Sequence, residues 1–228
     1  MTFARLLVVL VAVSACVVVS GCRHKAKPYQ SKPAWSGTPV SLPDVPNLPA
    51  KQVKDGDAYT VWGASHQLRS VVHSDSIKGK DIAIVGWVVK TNFAEAPACA
   101  VHPTGKADKD GCDARVPAFW ISDSKDDTVN AIKVLGFASN YANVYDQIKK
   151  DQRAKAGDKP HEDSYWGTAL PMPTPNVGAK VKVKGNYGYN FTKTGRGIES
   201  DPRMGLLTYA SLEYVEKPPE PAKLPGMK

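Results

Sequence analysis

KGKDIAIVGWVVKTN, residues 78 to 92, is the stretch on which the fold turns. Ile82, Ile84 and Gly86 alternate with Ala83, Val85 and Trp87, so a strand built from it is apolar on both faces for part of its length. The glycine in mid-strand marks a bend or bulge, as a strand curling around a small closed sheet requires. RVPAFWISDS (115–124) reads as a second strand around Phe119, Trp120 and Ile121, ended by a Ser-Asp-Ser turn. TVNAIKVLGFA (128–138) reads as a third, with Val129, Ala131, Lys133 and Leu135 on one face and Ile132 and Val134 on the other. In VGAKVKVKGNYGYNF (177–191), Val181 and Val183 oppose Lys180, Lys182 and Lys184, which predicts one buried and one wet face. The last strand, GLLTYASLEYVEK (205–217), has Leu206, Thr208, Ala210, Leu212 and Tyr214 on its more apolar face.

Between the third and fourth strands lies SNYANVYDQIKKDQRAKAG (139–157). Tyr141, Val144, Tyr145, Ile148 and Gln152 recur at helical spacing, with Ser139 or Asn140 as N-cap and Gly157 as stop. The tyrosine stripe is read as core. Upstream, residues 59–62 read as a short extended piece and residues 66–73 as a short helix carrying His66 and His73.

The 228 residues suit one soluble domain with extensions. Eighteen glycines and eighteen prolines point to many turns and a long linker. The formal charge is +8, from 30 Lys and Arg against 22 Asp and Glu. Arg5 precedes LLVVLVAVSACVVVSG, the layout of an export signal, and the run is marginal in length for spanning a bilayer. Residues 23 to 54 hold prolines 28, 33, 39, 43, 46 and 49 and no periodic apolar face, which predicts an extended tether. The tail 218–228 is also Pro-rich and is read as unstructured.

VVVSGC (17–22) resembles the lipobox of bacterial lipoproteins, with Val19, Ser20 and Gly21 at its small or aliphatic positions and Cys22 at the acylated one. The resemblance implies cleavage before Cys22 and acyl chains on it that anchor the chain in a bilayer. Cleavage removes only Arg5 among charged residues, leaving a formal +7. Arg23 stands where Asp is the inner-membrane retention signal in many Gram-negative bacteria, which implies outer-membrane sorting toward the periplasm.

GKDIAIVGWVV, AFWISD, VGAKVKVKGNYG and LLTYASLEYV resemble the strands of the OB-fold, over roughly residues 78 to 217. The resemblance implies a five-stranded OB-like barrel with one helix between strands three and four. Lipobox, tether and domain together are similar to uncharacterised delta-proteobacterial lipoproteins. The expected organisation is signal peptide 1–21, acylated Cys22 and tether 22–54, OB-like domain 55–217 with an N-terminal extension and a disulfide-bearing insert, and tail 218–228.

The insert is CAVHPTGKADKDGC (99–112). An exported chain meets an oxidising compartment, so Cys99 and Cys112 are read as a disulfide closing this loop, stabilising it by about 3 kcal/mol. Zinc is the competing reading, through Cys99, His102, Cys112 and one of Asp108, Asp110 or Asp113, but the close cysteine pairs of zinc sites are missing. Asp108-Lys-Asp110-Gly111 lacks the closing Glu of a calcium loop. No metal site, cofactor motif or catalytic residue is assigned; G-x-S-x-G, H-E-x-x-H and a phosphate-cradling glycine loop are all absent. His161, Glu162, Asp163 and Ser164 are adjacent, in a connection read as a solvated loop.

The candidate binding surface is Phe119, Trp120, Lys180, Lys182, Lys184, Tyr187 and Tyr189, with Phe191 nearby. Phe119 and Trp120 are neighbours, so only one of them faces outward. The expected function is a membrane-anchored, non-enzymatic binding or envelope-assembly module, its partner an envelope protein, a glycan or an anionic polymer. The alternatives that stay open are a metal-dependent or hydrolytic envelope enzyme working through 99–112 and 161–166, a purely structural spacer, and a nucleic-acid-binding OB domain. The export signal argues against nucleic acid.

Overall fold

The structure, a computed structural model, describes residues 28–31, 50–100, 115–192 and 198–227. The signal segment, Cys22, most of the tether and the insert from 101 to 114 lie outside the described residues. The chain divides into two units, Met1–Asn47 and Leu48–Lys228. Of the first, only residues 28–31 are described, exposed and without regular structure.

In the second unit, β1 (Lys54–Asp55) and β2 (Ala58–Thr60) lead into the short helices α1 (Val61–Gln67) and α2 (Val71–Ile77). Then come β3 (Asp81–Thr91), β4 (Phe119–Ser122), β5 (Ile132–Leu135) and α3 (Tyr141–Asp151). Two short strands, β6 (Glu162–Asp163) and β7 (Thr168–Ala169), precede β8 (Lys180–Gly188). β9 (Asn190–Phe191), β10 (Glu199–Ser200) and β11 (Leu206–Glu216) complete the chain. Two helices therefore stand where the sequence suggests one at 66–73. Among the described residues, no helix is long and apolar enough to cross a membrane.

The five strands that the alternation predicts close on one another. β3 pairs with β4, β4 with β5, β5 with β11, β11 with β8, and β8 again with β3. All these pairings are antiparallel except β5–β11, which is parallel. α3 lies between the third and fourth ring strands in chain order, as an OB-like arrangement requires. Its N-cap is Asn140, whose side chain accepts from Asn143 N. It ends at Asp151, so Gly157 is not its stop.

The expected plain five-stranded barrel with a disulfide-bearing insert needs correction. The sheet has seven strands, because β1 and β2 extend it from β3, and two further two-stranded ladders, β6–β7 and β9–β10, stand apart from it. These added strands are two or three residues long, too short for hydrophobic alternation to show. The ring of five strands is thus part of a larger, mixed sheet. Cys99 is the one cysteine among the described residues, so no disulfide joins described residues, and Cys112 with the rest of the insert lies outside them. The expected Cys99–Cys112 pairing therefore falls outside the described residues and is no part of the described fold. What pins the foot of the insert is Asn92, buried, whose Oδ1 accepts from Ala118 N at 2.8 Å while Nδ2 donates to Val116 O at 2.9 Å.

Inside the ring, Ile84 and Val88, Phe119 and Ile121, Ile132 and Val134, and Val181 and Val183 meet Tyr141, Val144 and Ile148 of α3. Burying each large side chain contributes about 1.5–3 kcal/mol. The face expected for β11 holds for only half its length. Leu207 and Tyr209 point inward, a register shift follows between Tyr209 and Ser211, and beyond it Leu212 and Tyr214 pack on the core. One extra residue reverses the phase of a strand, which is why no single alternation fits. The Pro-rich tail differs from its reading too: Ala222 and Leu224 are buried in the same core.

Candidate binding face

β3 and β4 place two tryptophans on the outer side of the ring. Ile84 and Val88 face the core, so Trp87 between them faces out; Phe119 and Ile121 face the core, so Trp120 faces out. Trp87 lies opposite Ser122 and Lys90 opposite Trp120, across a bulge between Val88 and Lys90. The two indoles therefore sit on adjacent strands, about 7 Å apart along the strand direction.

Each ring lies under two ammonium groups. Lys125 Nζ is 3.8 Å and Lys180 Nζ 5.7 Å from the centroid of Trp87. Lys90 Nζ is 4.9 Å and Lys133 Nζ 5.0 Å from the centroid of Trp120. An indole face attracts a cation by its quadrupole, worth roughly 0.5–1 kcal/mol at exposed sites. Lys133 is also ion-paired with Glu199. Among the described residues, no carboxylate lies within salt-bridge range of Lys90, Lys125 or Lys180.

The candidate surface read from sequence separates into parts. Trp120 and Lys180 are on this face. Phe119 is fully buried, and Tyr187 is in the core with its hydroxyl donating to Met204 O at 2.6 Å. Tyr189 packs edge-on against Tyr187, and Phe191 is buried in a small outer cluster with Ala118, Leu135 and Leu206. The lysine row on β8 goes three ways. Lys180 reaches Trp87, Lys184 is exposed opposite Ala83, and Lys182 donates to both oxygens of Asp57 at 2.7 and 2.8 Å. That hydrogen bond with Asp57 holds the Lys182 pKa above its ordinary range and the Asp57 pKa below. Cys22 and Cys112 lie outside the described residues, and Cys99 is half-buried in the turn that opens the insert.

Sequence reading missed Trp87, Lys90, Lys125 and Lys133 as site residues. Trp87 had a signal, an outward position in the alternation of 82–87. Lys125 did not, because it comes from a turn; Lys180 was legible as a candidate on the fourth ring strand, but its meeting with Trp87 is set only by register.

Beside Trp87 a cleft of about 680 Å³ opens between α1, the segment before β1 and the β4–β5 turn. Trp62 and His66, one helical turn apart on α1, stack with centroids 4.5 Å apart on its wall. Asp123 fixes α1 to the sheet: Oδ1 accepts from Val61 N at 2.7 Å and Oδ2 from Trp62 N at 2.8 Å. Thr60 caps the same helix by accepting from Gly63 N. Asp127 accepts from Val129 N, Asn130 N and Asn130 Nδ2, and its hydrogen bonds from Asn130 hold its pKa low.

The connection 161–166 is not a solvated loop throughout. Asp163 is fully buried. Its Oδ2 accepts from Ser139 N, Ser139 Oγ and Asn143 Nδ2 at 2.6, 2.7 and 2.6 Å, and its Oδ1 from Tyr165 N and Trp166 N at 3.0 and 2.9 Å. Burial works to raise its pKa, and the hydrogen bonds from Ser139, Trp166 and Tyr165 outweigh it, leaving the carboxyl below the usual range. Among the described residues, no group of three or more His, Cys, Asp or Glu is placed to hold a metal ion.

Neither a protein-family model nor a curated protein sequence matches the chain. Among solved structures it is similar to "OBody AM3L09 bound to hen egg-white lysozyme". The identity is 14%, 61% of this chain and 85% of that chain are covered, and the TM-score is 0.27. A likeness of that score carries no argument, so the OB-like assignment rests on the strand order and the place of α3.

Proposed function

We propose that the chain is a lipid-anchored envelope module that binds an anionic polymer on the outer face of β3 and β4. The observation that carries this reading is the pair of outward tryptophans, Trp87 and Trp120, each under two lysine ammoniums. Three of those four lysines have no carboxylate partner among the described residues. Ammoniums gathered over flat rings offer charge to an anion, and the rings offer apolar area to its backbone. The sequence supports the setting: an export signal, a lipobox ending at Cys22 and a Pro-rich tether suit a protein displayed from a bilayer, outer membrane facing periplasm. The same setting disfavours nucleic acid as the polymer.

Protein purified from membranes in detergent is passed over immobilised polygalacturonate, a polymer of uronic sugars, at rising salt. The wild type is expected to be retained at low salt and released as salt screens its lysines. The triple variant Lys90→Ala, Lys125→Ala, Lys180→Ala is expected to bind about thirty-fold more weakly, at roughly 0.7 kcal/mol per lysine. Equal retention of wild type and triple variant defeats the proposal.

A further inference from the structure

We infer that the anionic polymer is a saccharide, and that one of its sugar rings enters the cleft beside Trp87. This rests on the binding face proposed above and deepens it. The cleft continues that face, since Trp87 and Lys180 line both, but its chemistry is different. Its walls carry the carboxylates of Asp123 and Asp127. Both are fixed before any ligand arrives, Asp123 by two backbone N–H groups of α1 and Asp127 by Val129 and Asn130. Both oxygens of Asp123 and Oδ2 of Asp127 accept one such bond each and keep a second lone pair for a donor, whereas Oδ1 of Asp127 already accepts two. Gln52 and Ser124 add further polar groups to the lining, and Trp62, stacked on His66, adds a flat apolar wall.

Lysines beside fixed carboxylates sort the anionic polymers. A chain with an anionic group on every unit and no hydroxyls, such as polyphosphate or polyglutamate, is drawn to the lysines and repelled by Asp123 and Asp127. A uronic acid polymer carries both kinds of group in each residue. Its carboxylate faces the lysines, its hydroxyls donate to the carboxylates, and its C–H face packs on an indole. About 680 Å³ lies in the ordinary range of small-molecule sites.

The test measures dissociation constants for polygalacturonate, polyphosphate and polyglutamate of matched charge, using the full protein in detergent and its tryptophan fluorescence. The variant is Asp127→Asn, with Gln52→Ala as a second variant on an exposed side chain in case the first does not fold. Loss of one hydrogen bond should weaken polygalacturonate about five-fold in either variant. Asp127→Asn should at the same time leave polyphosphate unchanged or tighten it, since a repulsive charge is gone; a merely structural role would weaken both. If all three polymers bind the wild type alike, and both variants leave every affinity unchanged, the saccharide inference fails while the binding face stands. If none binds, both fail.

Discussion

Asp163 shows how far a single residue departs from its neighbourhood in sequence. It lies in a turn-rich, polar connection, yet it is buried and accepts five hydrogen bonds that tie the β6–β7 ladder to the start of α3. Removing its charge leaves several donors with a poorer acceptor. Asp163→Asn is therefore expected to cost about 3 kcal/mol, read from chemical denaturation. The pH dependence follows from the direction of its shift. Its folded pKa is lowered, so its contribution is present above the unfolded carboxylate range and lost as pH falls through the lower folded value. Wild-type stability should decline below about pH 4, and the part of that decline due to Asp163 should be missing from the variant. A variant that melts with the wild type at neutral pH would show that this carboxylate stabilises nothing.

Elements were legible in proportion to their periodicity. The long runs gave β3, β8 and α3 their type and their buried face: Ile84 and Val88, Val181 and Val183, Tyr141 and Ile148 point where alternation or helical spacing puts them. The outward turn of Trp120 followed from the same rule, one residue after Phe119. Interruptions were not legible. The bulge near Ala210 reverses the faces of β11, and the bulge after Val88 decides which lysine meets Trp120. Both depend on a partner strand far away in the chain. Gly185 illustrates the reverse case, a residue whose reason is only tertiary. A Cβ there would run into the carbonyl oxygen of Thr208 on the neighbouring β11. Gly185→Ala is expected to destabilise the domain by roughly 2 kcal/mol or more, as overpacking does. An unchanged denaturation midpoint would mean that the two strands separate there without cost.

At the scale of the whole molecule, the candidate site is a product of closure. Trp87 belongs to the first ring strand, Lys125 to the turn after the second, Lys133 to the third and Lys180 to the fourth. Only the ring brings them to one outer surface, so the sequence disclosed the ingredients, tryptophans and lysines in alternating runs, without disclosing their meeting. The first helix, α1, adds the cleft, with its Trp62 and His66 on one wall and Asp123 of the β4–β5 turn holding its N-terminus. The claim that this surface binds an anionic polymer is tested most directly by the indole N–H signals of isotopically labelled protein titrated with polygalacturonate. The signals of Trp87 and Trp120 should shift together and saturably, and that of Trp166, packed with Trp120 on the outer cluster around Phe191, should not shift without them. Shifts confined to Trp166, or none at Trp87 and Trp120 at saturating polymer, would contradict the account.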